Sequence, residues 1–198
     1  MKPTRLIIVA VGGQGNLLAS KVLGEAALLS GVPVRMSEIH GMAQRGGVVE
    51  SAIVFGDAKS TIISDGEADI LVGFEPSETL RALNKCNAET IVITNTAPLP
   101  PFTVAIGQGV YPDLDQIKSL ILSKTKRLIA LDATSLAKAS GSVMSTNIVL
   151  LGALIGTGRL PIPKEKMETA IRTKTKSAFV EANLSAFQRG YDVAMAGE

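Results

Sequence analysis

The sequence is poor in the residue types on which metal and redox sites depend. It contains one cysteine, Cys86, and one histidine, His40. A single thiol cannot form an internal disulfide, and iron–sulfur clusters and structural zinc sites usually need several thiolates. Any iron–sulfur or zinc chemistry must therefore come from another chain, and the near absence of cysteine fits a reducing cytoplasm.

Features that would suit a nucleic-acid or membrane partner are also scarce. Lysine and arginine number 20 against 18 for aspartate and glutamate, tryptophan is missing, and aromatic residues make up 4%. This composition lacks both the positive charge and the stacking platforms that nucleic-acid-binding proteins use. The longest apolar run, residues 148–156, has nine residues, whereas a bilayer span needs roughly 20. With no cleavable signal at the N-terminus, we expect a cytoplasmic protein.

The composition that remains is that of a compact and rather apolar domain. The chain has 198 residues, of which 46% are hydrophobic, and its mean hydropathy is +0.30. This length predicts one domain over residues 1–198 with a buried core. The hydropathy also predicts apolar surface that a partner protein would cover, or that would join two copies when the partner is missing.

Apolar runs alternate with helical patterns along the chain. Runs rich in valine and isoleucine predict strands at residues 5–10, 32–39, 48–55, 68–74, 90–94 and 127–131. Helical spacing predicts helices at residues 15–30, 76–83, 113–123, 142–156, 163–173 and 177–195. Gly56 and Asp57 predict a hairpin whose second strand is residues 61–64. The expected fold is α/β: a three-layer α/β/α domain with a mostly parallel, mixed open sheet and a helical C-terminal end.

Functional residues in such a fold lie beyond the carboxyl ends of the strands, where ligands bind in open α/β sheets. The predicted strand ends place residues 12–15, residues 40–47, Glu75, Asn95 and Asp132 at that edge. Glu75, just before Pro76, is best explained as a carboxylate at a helix start.

The first of these segments, Gly12, Gly13, Gln14 and Gly15, joins a strand to a helix. Its exposed backbone amides and the positive end of the helix dipole suit a phosphate or carboxylate. The same glycines would equally serve a tight turn with close packing, so both interpretations stay open.

The segment of residues 40–47 contains the sole histidine together with an arginine and three glycines. Arg45 could grip a carboxylate or phosphate in a bidentate manner, and His40 could exchange protons near neutrality. Gly46 and Gly47, like the first glycine turn, are candidate anion or partner contacts. The alternatives are a structural histidine and an arginine that pairs with a glutamate of the flanking strands.

Residues 10–15 also approach the dinucleotide-binding pattern G-x-G-x-x-G, with Glu38 at about the distance of a ribose-binding acid. Ala10 stands in place of the first glycine. A dehydrogenase that binds NAD or FAD is therefore an alternative function, and a stand-alone binding module is another. No G-x-S-x-G elbow or H-E-x-x-H pattern offers a self-sufficient catalytic set.

Four segments together carry a resemblance to a known family. Residues 10–15, 45–47, 68–81 and 147–154 are similar, in this order, to the gamma subunit or domain of the 2-oxoacid:ferredoxin oxidoreductases. Within that family, residues 40–47 are most similar to the small subunit of the indolepyruvate branch.

The resemblance implies that the chain is part of a complex that oxidatively decarboxylates a 2-oxoacid, gives the acyl group to coenzyme A and passes electrons to ferredoxin. It further implies a large catalytic subunit that holds thiamine diphosphate, magnesium and the iron–sulfur clusters. This chain would bind none of these cofactors tightly, would contact ferredoxin only indirectly, and would shape the active-site region of its partner.

One prediction follows from the cysteine content and the resemblance together. We expect the chain expressed alone to be colourless and to show no turnover with indolepyruvate, coenzyme A and a viologen dye, because it lacks the ligands for a redox centre. Iron analysis and the dye assay measure this directly. Stoichiometric iron in the isolated chain, or turnover by it, would contradict the prediction.

Overall fold

The computed structural model describes residues 1–41, 47–100, 104 and 106–197. The strands are β1 (Thr4–Val11), β2 (Val34–His40), β3 (Val48–Phe55), β4 (Ala68–Gly73), β5 (Cys86–Asn95) and β6 (Arg127–Leu131). The helices are α1 (Asn16–Leu29), α2 (Pro76–Arg81), α3 (Leu114–Lys124), α4 (Ala133–Ala139), α5 (Thr146–Gly156), α6 (Lys164–Lys174) and α7 (Val180–Ala196). Short 3₁₀ turns lie at Ala82–Lys85, Val143–Ser145 and Ser177–Phe179.

The six strands form one mixed sheet in the order β2-β3-β1-β4-β5-β6. Strands β1, β4, β5 and β6 are parallel, whereas β3 runs antiparallel to both β1 and β2. The predicted mixed sheet is confirmed. Strands β1, β2, β4, β5 and β6 therefore end at the same side, which we call the carboxyl edge.

The antiparallel strand is β3, which pairs with β1 and β2 and not with residues 61–64 as the sequence suggested. The hairpin predicted at Gly56 and Asp57 is wrong, because residues 61–64 form no strand. Strand β3 already has β1 on one side and β2 on the other, so no hydrogen-bonding edge remains for a further strand. Gly56, with φ of 99°, turns the chain away, and Ile63 packs into the core.

Helices cover both faces of the sheet, which gives the predicted three layers. The larger apolar core joins one face of the sheet to α1, α4, α5, α6 and α7. The smaller core joins the other face to α3 and to the segment around α2. None of the helices in the described ranges is long and apolar enough to cross a bilayer.

Helices α5 and α7 cross in direct backbone contact. A Cβ atom at Gly152 would overlap the carbonyl oxygen of Phe187, and one at Gly190 would overlap the carbonyl oxygen of Val149. Every residue of α5 from Asn147 to Gly156 is buried. The close packing of α5 against α7 thus explains why glycine stands at positions 152 and 190.

We expect Gly152→Ala and Gly190→Ala each to lower the free energy of unfolding by about 1–3 kcal/mol or more, because the added methyl group must push two backbones apart. Urea denaturation measures the loss. Gly24→Ala in α1 is a matched control, since its new Cβ would meet only the mobile end of the Met36 side chain. We expect that control to stay near wild type, and equal losses in all three variants would contradict the explanation.

Candidate functional site

Two clefts open at the carboxyl edge, one on each side of the turn formed by residues 12–15. The larger one, here called the edge cleft, has a volume of about 620 Å³. Its walls come from the glycine turn, the segment after β5, the residues before and at the start of α5, and the α6–α7 connection. The smaller one, here called the hairpin cleft, has a volume of about 340 Å³ and lies between the turn and the ends of β2 and β3.

The glycine turn itself forms part of both clefts. Gly13 and Gly15 have φ values of 101° and 81°, a left-handed conformation that favours glycine. Gly15 precedes α1 and supplies no side-chain cap, which leaves the helix start accessible to an anion. The side chain of Asn147 crosses to the turn, where its Nδ2 donates to the Gly15 carbonyl over 3.1 Å. A Cβ at Gly15 would lie only 2.7 Å from that nitrogen.

Gln14 is a structural link within the turn. Its Oε1 accepts from the backbone N–H of Val11 at 2.8 Å, and its Nε2 donates to the carbonyl of Phe74 at 3.2 Å. Both ends of the amide are thereby occupied and connect β1 to the end of β4. The anion role predicted for Gly12, Gly13, Gln14 and Gly15 stays a prediction. It would rest on the backbone amides of Gly13 and Gly15, because those of Gly12 and Gln14 already donate to the carbonyls of Gly47 and Val11.

The described ends of the second candidate segment, His40, Gly41 and Gly47, lie beside this turn. The backbone N–H of Gly12 donates to the carbonyl of Gly47 over 2.8 Å. His40 is the exposed last residue of β2 and, with Gly47, lines the hairpin cleft next to Gly13. Arg45 and Gly46, the other candidates of this segment, lie outside the described residues.

A polar cluster that the sequence did not reveal lies beneath the hairpin cleft. The Ser51 hydroxyl is 3.2 Å from both Asn16 Oδ1 and Glu38 Oε1, and it accepts from Ser20 over 3.1 Å. Ser51 is fully buried. The only sequence signal of this cluster is a serine within the mostly apolar strand β3. Glu38 thus faces a buried serine, and β3 separates its strand from β1. A ribose-binding acid would need the adjacent strand, so the dinucleotide alternative is disfavoured.

The remaining predicted edge residues hold the backbone in place. Asn95, only 1% exposed, accepts from the N–H groups of Ala97 and Ala133 and donates to Phe74 and Thr134. Asp132 begins α4 and accepts from Ser135, whose hydrogen bonds hold the pKa of the Asp132 carboxyl below its usual value.

Glu75 begins α2, as predicted, and its Oε2 accepts from the N–H of Glu78 at 3.0 Å. Its Oε1 accepts from the N–H of Leu99 at 3.2 Å and from the hydroxyl of Tyr111. Burial and this hydrogen bond raise the pKa of Tyr111, which therefore keeps its proton and acts as a donor.

The charged side chains among the described residues that line the edge cleft are lysines. Lys174 and Lys176 lie on its wall, and the described residues that line it include no aspartate or glutamate. Lys174 also pairs with Glu25 at 2.9 Å. The other walls are largely apolar, with Leu18, Phe74 and Phe179 among them. An elongated ligand with an apolar part and an anionic end would match this arrangement.

Residues 5–193 match the family model described as pyruvate ferredoxin/flavodoxin oxidoreductase. The chain belongs to this family. The family resemblance expected from the sequence is thereby confirmed.

Individual relatives cover almost the full length of this oxidoreductase-family chain. It is 41% identical to the protein named indolepyruvate oxidoreductase subunit IorB of Archaeoglobus fulgidus, over 97% of this chain and 96% of the relative. Its fold matches the gamma subunit of a keto/oxoacid ferredoxin oxidoreductase from Geobacter sulfurreducens with a TM-score of 0.71, 25% identity and coverage of 98% and 99% of the two chains.

A third match shows the same fold inside a longer chain. The 2-oxoglutarate:ferredoxin oxidoreductase of Magnetococcus marinus, solved with 2-oxoglutarate, coenzyme A and succinyl-CoA bound, aligns with a TM-score of 0.73 at 19% identity. The match covers 99% of this chain and 32% of that one.

The described residues of this family member contain no group of three or more histidine, cysteine, aspartate or glutamate side chains that could hold a metal ion. The thiol of Cys86 is buried at the start of β5, within the smaller core. Burial raises the pKa of this thiol to about 11.

We therefore expect Cys86 to resist a thiol reagent such as dithionitrobenzoate at pH 8 in the folded chain and to react at once in urea. Because the folded pKa exceeds the ordinary value of 9.0, the thiol's contribution to stability is complete below that pH and is lost as the pH rises towards the folded pKa. Rapid stoichiometric labelling of the native chain would contradict this.

Proposed function

We propose that this chain is the small, non-autonomous subunit of a 2-oxoacid:ferredoxin oxidoreductase that acts on indolepyruvate or a related arylpyruvate. The observation that carries the proposal is the 41% identity, along almost the whole of both chains, to a subunit named for indolepyruvate. Residues 1–198 would form a single gamma-type domain within a cytoplasmic complex.

The reaction of such a complex indicates which cofactors must be bound by the partner of this chain. A 2-oxoacid anion and coenzyme A give an acyl-CoA, carbon dioxide, two electrons and one proton, and ferredoxin takes the electrons. Thiamine diphosphate supplies the carbanion chemistry, and iron–sulfur clusters carry the electrons. The lone thiol of this chain is buried in the smaller core, away from the carboxyl edge. We therefore assign the iron–sulfur clusters to the large subunit. Thiamine diphosphate and magnesium are assigned there with them, because the described residues offer no group of side chains that could hold a metal ion.

The edge cleft suits coenzyme A as the ligand of this chain. The cleft has room for a drug-sized or larger molecule, and its walls are mostly apolar. Lys174 and Lys176 would face the phosphates, and the backbone amides at Gly13 and Gly15 offer a second place for an anion. The thiol end of the molecule would then point out of the cleft towards the partner's active site.

The carboxyl edge is also the surface that we assign to the large subunit. Large apolar side chains are exposed around the two clefts, including Ile39 at 67% and Met144 at 74%. Leu17, Val143 and Phe179 extend this apolar rim. Clustered exposed apolar residues commonly mark an interface. Without the large subunit, the same surface would support a weaker homodimer.

The two alternatives make different demands on the protein. A dehydrogenase would bind NAD or FAD at the glycine turn, and either nucleotide would then raise the melting temperature. A stand-alone module would purify as a monomer without a large partner. The cluster around Ser51 and the near-complete match to oxidoreductase subunits favour the subunit function over both.

We expect hydrogen exchange to slow at residues 12–17, 39–41 and 143–147 when the chain is co-expressed with the large subunit of the same organism. These backbone segments would be covered by the interface. Mass spectrometry of peptides from the free and assembled chain measures the change.

Helix α3 lies on the other face of the sheet and serves as the internal control, with unchanged exchange. If protection is confined to residues 177–196 while both glycine segments stay unchanged, the interface lies on the C-terminal helices instead. If no large subunit assembles with the chain, the subunit proposal itself fails.

A further inference from the structure

One wall of the edge cleft is the proline-rich segment of residues 97–99, which follows β5. Ala97, Pro98 and Leu99 line the cleft, and Leu99 is half exposed there. A segment outside the regular sheet keeps a fixed position only where its backbone groups have partners. Those partners decide how rigidly this wall is held.

Every backbone N–H group of this wall is in use. Thr96 donates to the carbonyl of Leu131 at 2.9 Å, and Ala97 donates to Asn95 Oδ1 at 3.2 Å. Leu99 donates to Glu75 Oε1 at 3.2 Å, and Pro98 has no N–H group. The part of the wall that reaches furthest from the sheet therefore depends on one carboxylate.

The Glu75 carboxylate is buried, so both of its oxygens require hydrogen-bond donors. Glu75 is 1% exposed, and an unpaired buried charge would be strongly unfavourable. Its two oxygens receive three donors: the N–H of Glu78, the N–H of Leu99 and the hydroxyl of Tyr111. Tyr111 is only partly buried, and its hydroxyl shares the oxygen that holds Leu99.

We propose that Glu75 and Tyr111 are positioning residues of the edge cleft, which fix its 97–99 wall and thereby set the affinity for the ligand that fills it. Neither residue lines the cleft, so both act through the wall. The affinity part of this inference rests on the proposed function, in which that ligand is coenzyme A.

A carboxylate is required for this arrangement, and an amide would not replace it. In Glu75→Gln, the single carbonyl oxygen can serve either α2 or the wall, and the amide nitrogen would face a donor at the other position. Tyr111→Phe is the milder change, because the ring stays and only the hydroxyl on the shared oxygen is lost. We therefore expect Glu75→Gln to have the larger effect.

The test uses the assembled complex, with coenzyme A as the probe. We expect Tyr111→Phe to raise the KM for coenzyme A measurably, by up to about tenfold, because the free energy of the one hydrogen bond that anchors Glu75 sets the upper limit of the effect. The kcat and the KM for indolepyruvate should stay within about twofold of wild type, because only wall positioning changes.

The matched control is Glu78→Gln, another buried carboxylate on α2 whose side chain pairs with Arg81 and whose backbone N–H is retained. We expect it to leave the KM for coenzyme A unchanged. Lys176→Ala removes a charge on the cleft wall itself and is expected to raise that KM directly.

A second measurement needs no partner subunit. In the full chain alone, the Leu99 amide should exchange faster in Tyr111→Phe than in wild type. In Glu75→Gln, the one remaining carbonyl oxygen can hold only one of its two donor positions, so the Leu99 or the Glu78 amide should exchange faster. The Thr96 amide should not change in either variant. This separates loosening of the wall from general unfolding, which would speed exchange at all three positions.

The outcomes distinguish the two proposals. If the two positioning variants leave the KM for coenzyme A unchanged while Lys176→Ala raises it, the cleft assignment stands and the positioning role is overturned. A fall in kcat without a change in this KM also overturns it. If Lys176→Ala has no effect on the KM, the coenzyme A assignment fails. Unchanged exchange at both the Leu99 and the Glu78 amides in Glu75→Gln overturns the wall's dependence on Glu75 whatever the complex does.

Discussion

The insertion of β3 between β1 and β2 is the constraint on which the functional edge depends. Because β3 pairs antiparallel with both neighbours, it brings residues 40–41 and 47–48 to the same side as the glycine turn. The bond from Gly12 to the Gly47 carbonyl then joins these two segments directly. The same insertion moves Glu38 one strand away from β1, which disfavours the dinucleotide site whose pattern the sequence approaches.

Much of this arrangement could be predicted from local sequence. The predicted bounds of β3 and β6 match the observed ones to the residue, because each mostly apolar run is followed directly by a residue that breaks it, Gly56 or Asp132. The starts of α2 and α3 could be predicted from the carboxylates Glu75 and Asp113, which precede these helices and cap their first N–H groups. The predicted hairpin at Gly56 failed because strand pairing is a property of the whole sheet, and nothing local indicates that both edges of β3 are occupied.

The candidate site was harder to predict, because its parts are distant in the chain. The positions of the glycine turn, Glu75 and Asn95 followed from the rule that strand ends share one edge. The contact between Asn147 and Gly15, 132 residues apart, and the lysines at the α6–α7 connection had no local signal. Nor did sequence reasoning separate residues that line the cleft from those, like Glu75, that hold its wall.

The backbone contact between α5 and α7 has a consequence for how the protein is made. Helix α5 is apolar on all sides, and the segment that covers it, residues 180–196, leaves the ribosome after it. During synthesis, this apolar helix therefore lacks its covering helix for at least as long as residues 180–196 take to be translated, which is about 1–3 s at about 5–20 residues per second. The core is completed only when α7 packs on α5. Until then the apolar surface of α5 is exposed to aggregation and to chaperones.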